Sequence, residues 1–127
     1  MIVAGLGSRK GVSADEVMTA IAAACEAHAL TPPQLGLLAT GEAKASEAAF
    51  ADAALRLGIP LELVSDAALA AVADRTATRS PRSLAETGVP SLSEASALAA
   101  AGPTAALLGP RIVAGAVTCA LASGGRP

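Results

Sequence analysis

What most constrains this chain is a change of hydrophobic period that repeats three times. Short apolar runs at residues 1–6, 35–39 and 61–64 are each stopped by glycine, proline or charge. They alternate with stretches whose apolar residues recur every three or four positions. A strand–helix–strand–helix–strand–helix order demands parallel pairing with right-handed crossovers. Helix signals agree. Ser13 with Glu16 spells a capping box, and Val17, Ile21, Ala24 and His28 follow at helical spacing. A second helix starts near residues 43–46 and ends before Gly58, with Pro60 beyond it; residues 66–74 make a short third.

The segment RTATRSPRSLAETGVP, residues 75–90, breaks the pattern and is expected to be a long mobile loop. Order resumes at Ser91, which with Glu94 spells a second capping box for a helix that Gly102 and Pro103 end. Residues 104–108 and 112–121 read as strands joined by a hairpin at Gly109-Pro110-Arg111. The expected fold is α/β: a three-layer α/β/α domain over residues 1–127. Its mixed, mostly parallel sheet has about five strands, the last antiparallel.

Such a core is made of small residues. Hydrophobic residues are 53% of the chain, alanine dominates them, and Phe50 is the one aromatic. Stability then depends on close helix-to-sheet approach. Without aromatics, base stacking is not available, and a formal charge of −2 supplies no basic field, so a nucleic-acid partner is not expected. Apolar runs break before the ~18 residues of a membrane helix, and the N-terminus lacks signal-peptide order; a cytoplasmic protein with no membrane partner is expected. Cys25 and Cys119 form no CxxC, and His28 is the single histidine, so neither a metal nor a cofactor is expected.

The cations are where chemistry is legible. In a parallel sheet the strand-to-helix loops open on the carboxyl edge, where ligands bind. GLGSRKG at residues 5–11, TGEAKAS at 40–46, the start of the helix after Gly88, and the turn at 109–111 all belong there. Arg9, Lys10, Lys44 and Arg111 are therefore expected to converge, with helix N-termini adding positive potential, as an anion site. GLGSRKG falls one residue off the dinucleotide fingerprint and lacks the GK[ST] of a P-loop. Plainer readings stand beside each residue: solvated loop cations, a Lys44–Glu47 surface pair, Glu94 as a capping glutamate, His28 as a helix-end residue, Cys119 as core. No nucleophile–base pair is visible.

Four ordered blocks, GLGSRKG, ATGEAKASEAAFADAALRLGIPLELVS, GVPSLSEASALAAAG and GAVTCALA, resemble the family formed by the CbiG C-terminal domain and its free-standing counterpart CobE, of cobalamin (vitamin B12) biosynthesis. By that resemblance Gly5, Gly7, Arg9, Lys10, Gly11, Lys44, Glu47, Gly88, Ser91, Glu94 and Thr118 fall on motif positions. Ser8 stands where many members show cysteine, and Arg111 where lysine is common. The resemblance implies an α/β domain that binds an anionic precorrin or hydrogenobyrinic-acid-type tetrapyrrole, as an accessory or carrier of the aerobic route. Other enzymes of the pathway are possible protein partners, and Arg75, Arg79 and Arg82 could close over the ligand. The alternatives it implies are a precorrin-modifying hydrolase, with Glu94 or Lys44 in acid–base roles, and a structural partner of another pathway enzyme. The lactone opening associated with the longer members is not carried over to this portion.

Overall fold

The computed structural model describes residues 1–125. Strand β1 (Ile2–Ser8) leads to helix α1 (Ala14–Ala27), then β2 (Leu35–Gly41), α2 (Ala48–Leu57), β3 (Leu61–Val64) and α3 (Asp66–Val72). Helix α4 (Pro81–Thr87) and helix α5 (Leu92–Ala101) follow, and β4 (Ala106–Leu107), β5 (Ile112–Ala114) and β6 (Val117–Ser123) complete the order. The strands line up as β3-β2-β1-β6-β4, with β5 also paired to β6. β1 and β3 flank β2 in parallel, and β6 runs antiparallel to β1 along its whole length.

The two-residue period of β1 builds both faces. Ala4 and Leu6 point to α1 and α2, where Val17, Ile21 and Phe50 are fully buried. Val3 points the other way, to α5 and α3, where Leu98, Ala97 and Ala100 complete a second core. Helix α5 is buried on nearly all sides. It lies so close to β1 that a Cβ at Gly5 would sit 1.9 Å from the Ser93 carbonyl oxygen. Small residues thus do what the composition anticipates, bringing backbone against backbone. Cys25 and Cys119 are buried in the α1-side core, and burial raises both thiol pKa values. No described helix is long and apolar enough to cross a membrane.

Two expectations need correction. Residues 75–90 are not a continuous loop, because 81–87 are helical. Ser80 caps this helix by accepting from the Ser83 N–H, Pro81 occupies its first turn, and Gly88 closes it with φ +78. Serine–proline before and glycine after are a helix start and stop, which the arginines and prolines of the stretch disguise. The final hairpin is also elsewhere. Residues 112–121 are not one strand but two, β5 and β6, folded about Gly115 and Ala116 with Ala114 opposite Val117. Gly115, at φ +60, supplies the first position of a tight primed turn. Among the described residues the sheet accordingly has six strands rather than about five.

Candidate functional site

The GLGSRKG loop is placed by where β1 ends. Beyond Ser8 the Arg9 N–H donates to the Ala116 carbonyl at 3.1 Å, which pins the loop to the β5–β6 turn. Gly11 turns the chain with φ +77, and its N–H donates to Glu47 Oε1 at 3.1 Å. Glu47 therefore braces the loop from the start of α2 instead of pairing with Lys44. Lys44, on the short 3-10 turn after β2, reaches back so that its Nζ donates to the Ser8 carbonyl at 2.6 Å. One hydrogen-bonded ammonium proton leaves two for other acceptors.

Arg111 arrives from the opposite side. Its loop crosses the end of α1, where a Cβ at Gly109 would lie 2.7 Å from the His28 ring; glycine permits the crossing. The Arg111 N–H donates to Glu94 Oε2 at 2.8 Å. Glu94 is wholly buried. Its Oε1 accepts from the Ala77 and Thr78 N–H groups at 2.9 and 2.8 Å, and its Oε2 from the Thr78 hydroxyl at 2.8 Å. The capping geometry expected of this pair is only half made: Ser91 Oγ accepts from the Glu94 N–H at 3.4 Å, while the carboxylate turns to the neighbouring loops. Every partner of the carboxylate is a donor, so it fastens the segment before α4 to the segment before β5.

A cleft of about 200 Å³ is lined by α4, the end of β1 and the β5–β6 turn. Gly7 and Thr118 floor it side by side, with Thr118 Oγ1 donating to the Gly7 carbonyl at 3.3 Å, and Leu92 at the start of α5 stands beside them. Arg9, Lys44 and Arg111 line it together with Ser8, while Lys10, expected beside them, does not. One wall comes from α4 through Ser80, Arg82, Ser83, Glu86 and Thr87, which a loop reading of this stretch passes over. The usable signal was the Ser80-Pro81 start, after which positions 83 and 87 share a helix face. Of the arginines expected to close over a ligand, Arg82 alone reaches the cleft; Arg75 donates to the Ala105 carbonyl, and Arg79 is exposed outside the lining.

Most of the remaining predicted residues lie outside the lining. Lys10 is exposed at the loop tip. Gly5 lies beneath α5, Gly88 terminates α4, and Ser91 is the buried N-cap of α5. Ser8 contributes to the lining while its hydroxyl oxygen is buried without a hydrogen-bond partner. Strand alternation from Ala4 and Leu6 puts that side chain on the α1–α2 face. The electrostatic balance is one-sided among the described residues: Arg9, Lys44, Arg82 and Arg111 against the single carboxylate of Glu86.

Comparison with known proteins gives a consistent result. Residues 2–122 match the family described as Cobalamin synthesis G C-terminus. Protein CobE of Sinorhizobium sp is 35% identical over 121 residues, which cover 95% of this chain and 79% of that protein. The crystal structure of CobE, a protein from the cobalamin (vitamin B12) biosynthetic pathway, superposes with a TM-score of 0.92 at 31% identity, covering 96% of this chain and 89% of that one. Cobalamin biosynthesis protein chiG from Agrobacterium tumefaciens str. C58 superposes with a TM-score of 0.79 at 46% identity, covering 99% and 100%.

Proposed function

The chain belongs to the cobalamin synthesis G C-terminal family, and from that premise we propose that it binds an anionic precorrin or corrin intermediate at the cleft, as an accessory or carrier in cobalamin biosynthesis. The observation that carries this reading is the convergence of Arg9, Lys44, Arg82 and Arg111 on one cleft with a single opposing carboxylate. Intermediates of this kind bear several acetate and propionate arms around an apolar ring.

Size decides how such a ligand sits. A site that engulfs a drug-sized molecule encloses roughly 300–1,000 Å³, and this cleft holds about 200 Å³. It takes one or two acid arms, and the ring stays outside. The rim suits a ring plane: Val113 is 60% exposed, and Gly115 and Ala116 beside it carry almost no side chain. Charge-assisted hydrogen bonds contribute roughly 1.5–3 kcal/mol each before desolvation. Three or four of them support micromolar affinity, about −8 kcal/mol.

The test is a visible-absorption titration of the purified protein with hydrogenobyrinic acid at low and high salt. A saturable spectral change that weakens with salt is expected. Absence of any change at millimolar ligand would remove the reading and leave membership of the pathway without a binding role.

A further inference from the structure

Glu86 is out of keeping with its surroundings. It is the one carboxylate lining a cleft that otherwise presents Arg9, Lys44, Arg82 and Arg111. It does not brace the fold as Glu94 and Glu47 do. Its Oε1 accepts from Arg82 Nε at 3.0 Å, one helical turn away, with side chains 50% and 59% exposed. Such exposed pairs contribute little to stability and are readily exchanged. The helix that carries both is seven residues long and buries only Ser83.

Accepting the reading of the cleft as a polycarboxylate site, on which this rests, we infer that Glu86 is a built-in competitor that occupies Arg82 and sets how much charge a ligand must bring to displace it. An incoming carboxylate must take the guanidinium from Glu86. A simple anion makes one such exchange and gains little. A ligand that brings two acid arms into the cleft also meets Arg9, Lys44 and Arg111, and those contacts carry the displacement. Glu86 thereby biases the cleft against small anions such as phosphate and toward multiply charged ligands. It is a specificity-determining residue, and its role does not require it to touch the ligand.

The experiment compares wild type, Glu86→Gln, Glu86→Ala, Arg82→Ala and the Arg82→Ala/Glu86→Gln double variant. Each is titrated with hydrogenobyrinic acid at low salt, with inorganic phosphate as competitor. Freeing Arg82 from its exposed pair with Glu86 should tighten binding by up to about fivefold, the upper worth of such a pair. Phosphate should compete better against Glu86→Gln than against wild type. Arg82→Ala should weaken binding, and the double variant should show no gain over Arg82→Ala alone. Unchanged or weaker binding by both Glu86 variants overturns the inference while the cleft reading stands. A gain that persists without Arg82 also overturns it, because the effect would then not pass through that guanidinium. No binding by wild type removes the cleft reading and this inference together.

Discussion

The Arg111 N–H donates to Glu94 Oε2 at 2.8 Å, seventeen residues away in sequence, and through this one bond a buried carboxylate fixes where a cleft arginine leaves the backbone. The other oxygen holds Ala77 and Thr78, which lead into the α4 wall. Both sides of the cleft thus hang on one side chain that never lines it.

Glu94→Gln is therefore expected to be more disruptive than its shape suggests. An amide has one oxygen; with it toward the Ala77 and Thr78 N–H groups, its NH2 confronts the Arg111 N–H, which has no other acceptor, and forces the Thr78 hydroxyl to turn from donor to acceptor. Leaving buried donors unsatisfied costs roughly 1–3 kcal/mol each, so a loss of about 3 kcal/mol is expected. Urea denaturation monitored by far-UV circular dichroism measures it through the midpoint at constant m-value. Stability within about 0.5 kcal/mol of wild type would show that the network does not hold the loops.

The glycines of β1 separate fold from site. At Gly5 an added Cβ meets the Ser93 backbone oxygen at 1.9 Å, so Gly5→Ala must push α5 off the sheet. A loss of about 3 kcal/mol or more, or failure to fold, is expected. At Gly7 the nearest atom is Thr118 Oγ1 at 2.9 Å, a side chain that can turn away. Gly7→Ala should cost about 1 kcal/mol and mainly narrow the cleft floor, weakening ligand binding. Equal melting temperatures for the two variants would contradict this division.

How far the sequence reached depended on the range of the interaction. β1, β2 and β3 were legible because their period changes within a few residues, and the crossover rule then placed Arg9, Lys10 and Lys44 on one edge, whereas Arg111 was placed there through a hairpin at 109–111 that the structure does not form. α4 was missed because its two apolar residues, Leu84 and Ala85, are exposed, so its stop and start residues were its only signal. The β5–β6 turn was missed because Gly115 lies inside an otherwise apolar run, where nothing polar marks a reversal. Glu94 was found for its local capping pattern, but its partners at 77, 78 and 111 are set by packing that no spacing encodes.

Ser8 offers a stabilising change. Its hydroxyl oxygen is buried and unpartnered, on the face of β1 that carries Ala4 and Leu6. Ser8→Ala removes an orphan polar atom and leaves the backbone carbonyl that Lys44 uses in place. A gain of up to about 1 kcal/mol is expected, read as a higher urea midpoint. A clear loss would mean that the hydroxyl has a partner in solution.

The buried thiols predict alkaline behaviour. Burial raises both thiol pKa values above the ordinary 9.0, so the folded chain keeps protons that the unfolded chain releases. Stability from this source is whole below pH 9.0 and declines above it, by up to about 1.4 kcal/mol per pH unit for each thiol. With no tyrosine present, few other groups titrate there. Urea midpoints from pH 8 to 11 should fall, and Cys119→Ala should flatten the slope. The same slope in that variant would show that Cys119 is not its source.

The cleft cations should not be equivalent to one another. Arg9 is exposed and holds the site through its backbone, so Arg9→Ala removes only a screened charge and should weaken hydrogenobyrinic acid binding about threefold. Lys44 is half-buried, and its Nζ also ties the Ser8 carbonyl at the end of β1, so Lys44→Ala loses both a ligand contact and the tether. About tenfold weaker binding is expected, with a small loss of stability. Arg111 lies between these cases: Glu94 fixes its backbone whatever the side chain is, so Arg111→Ala should leave the fold intact while binding falls by about three- to tenfold. Titrations at two salt concentrations discriminate charge from geometry, since every cation removed should also flatten the salt dependence. Equal losses at all three positions, or losses that salt does not modulate, would mean that these side chains hold the cleft's shape rather than a carboxylate within it.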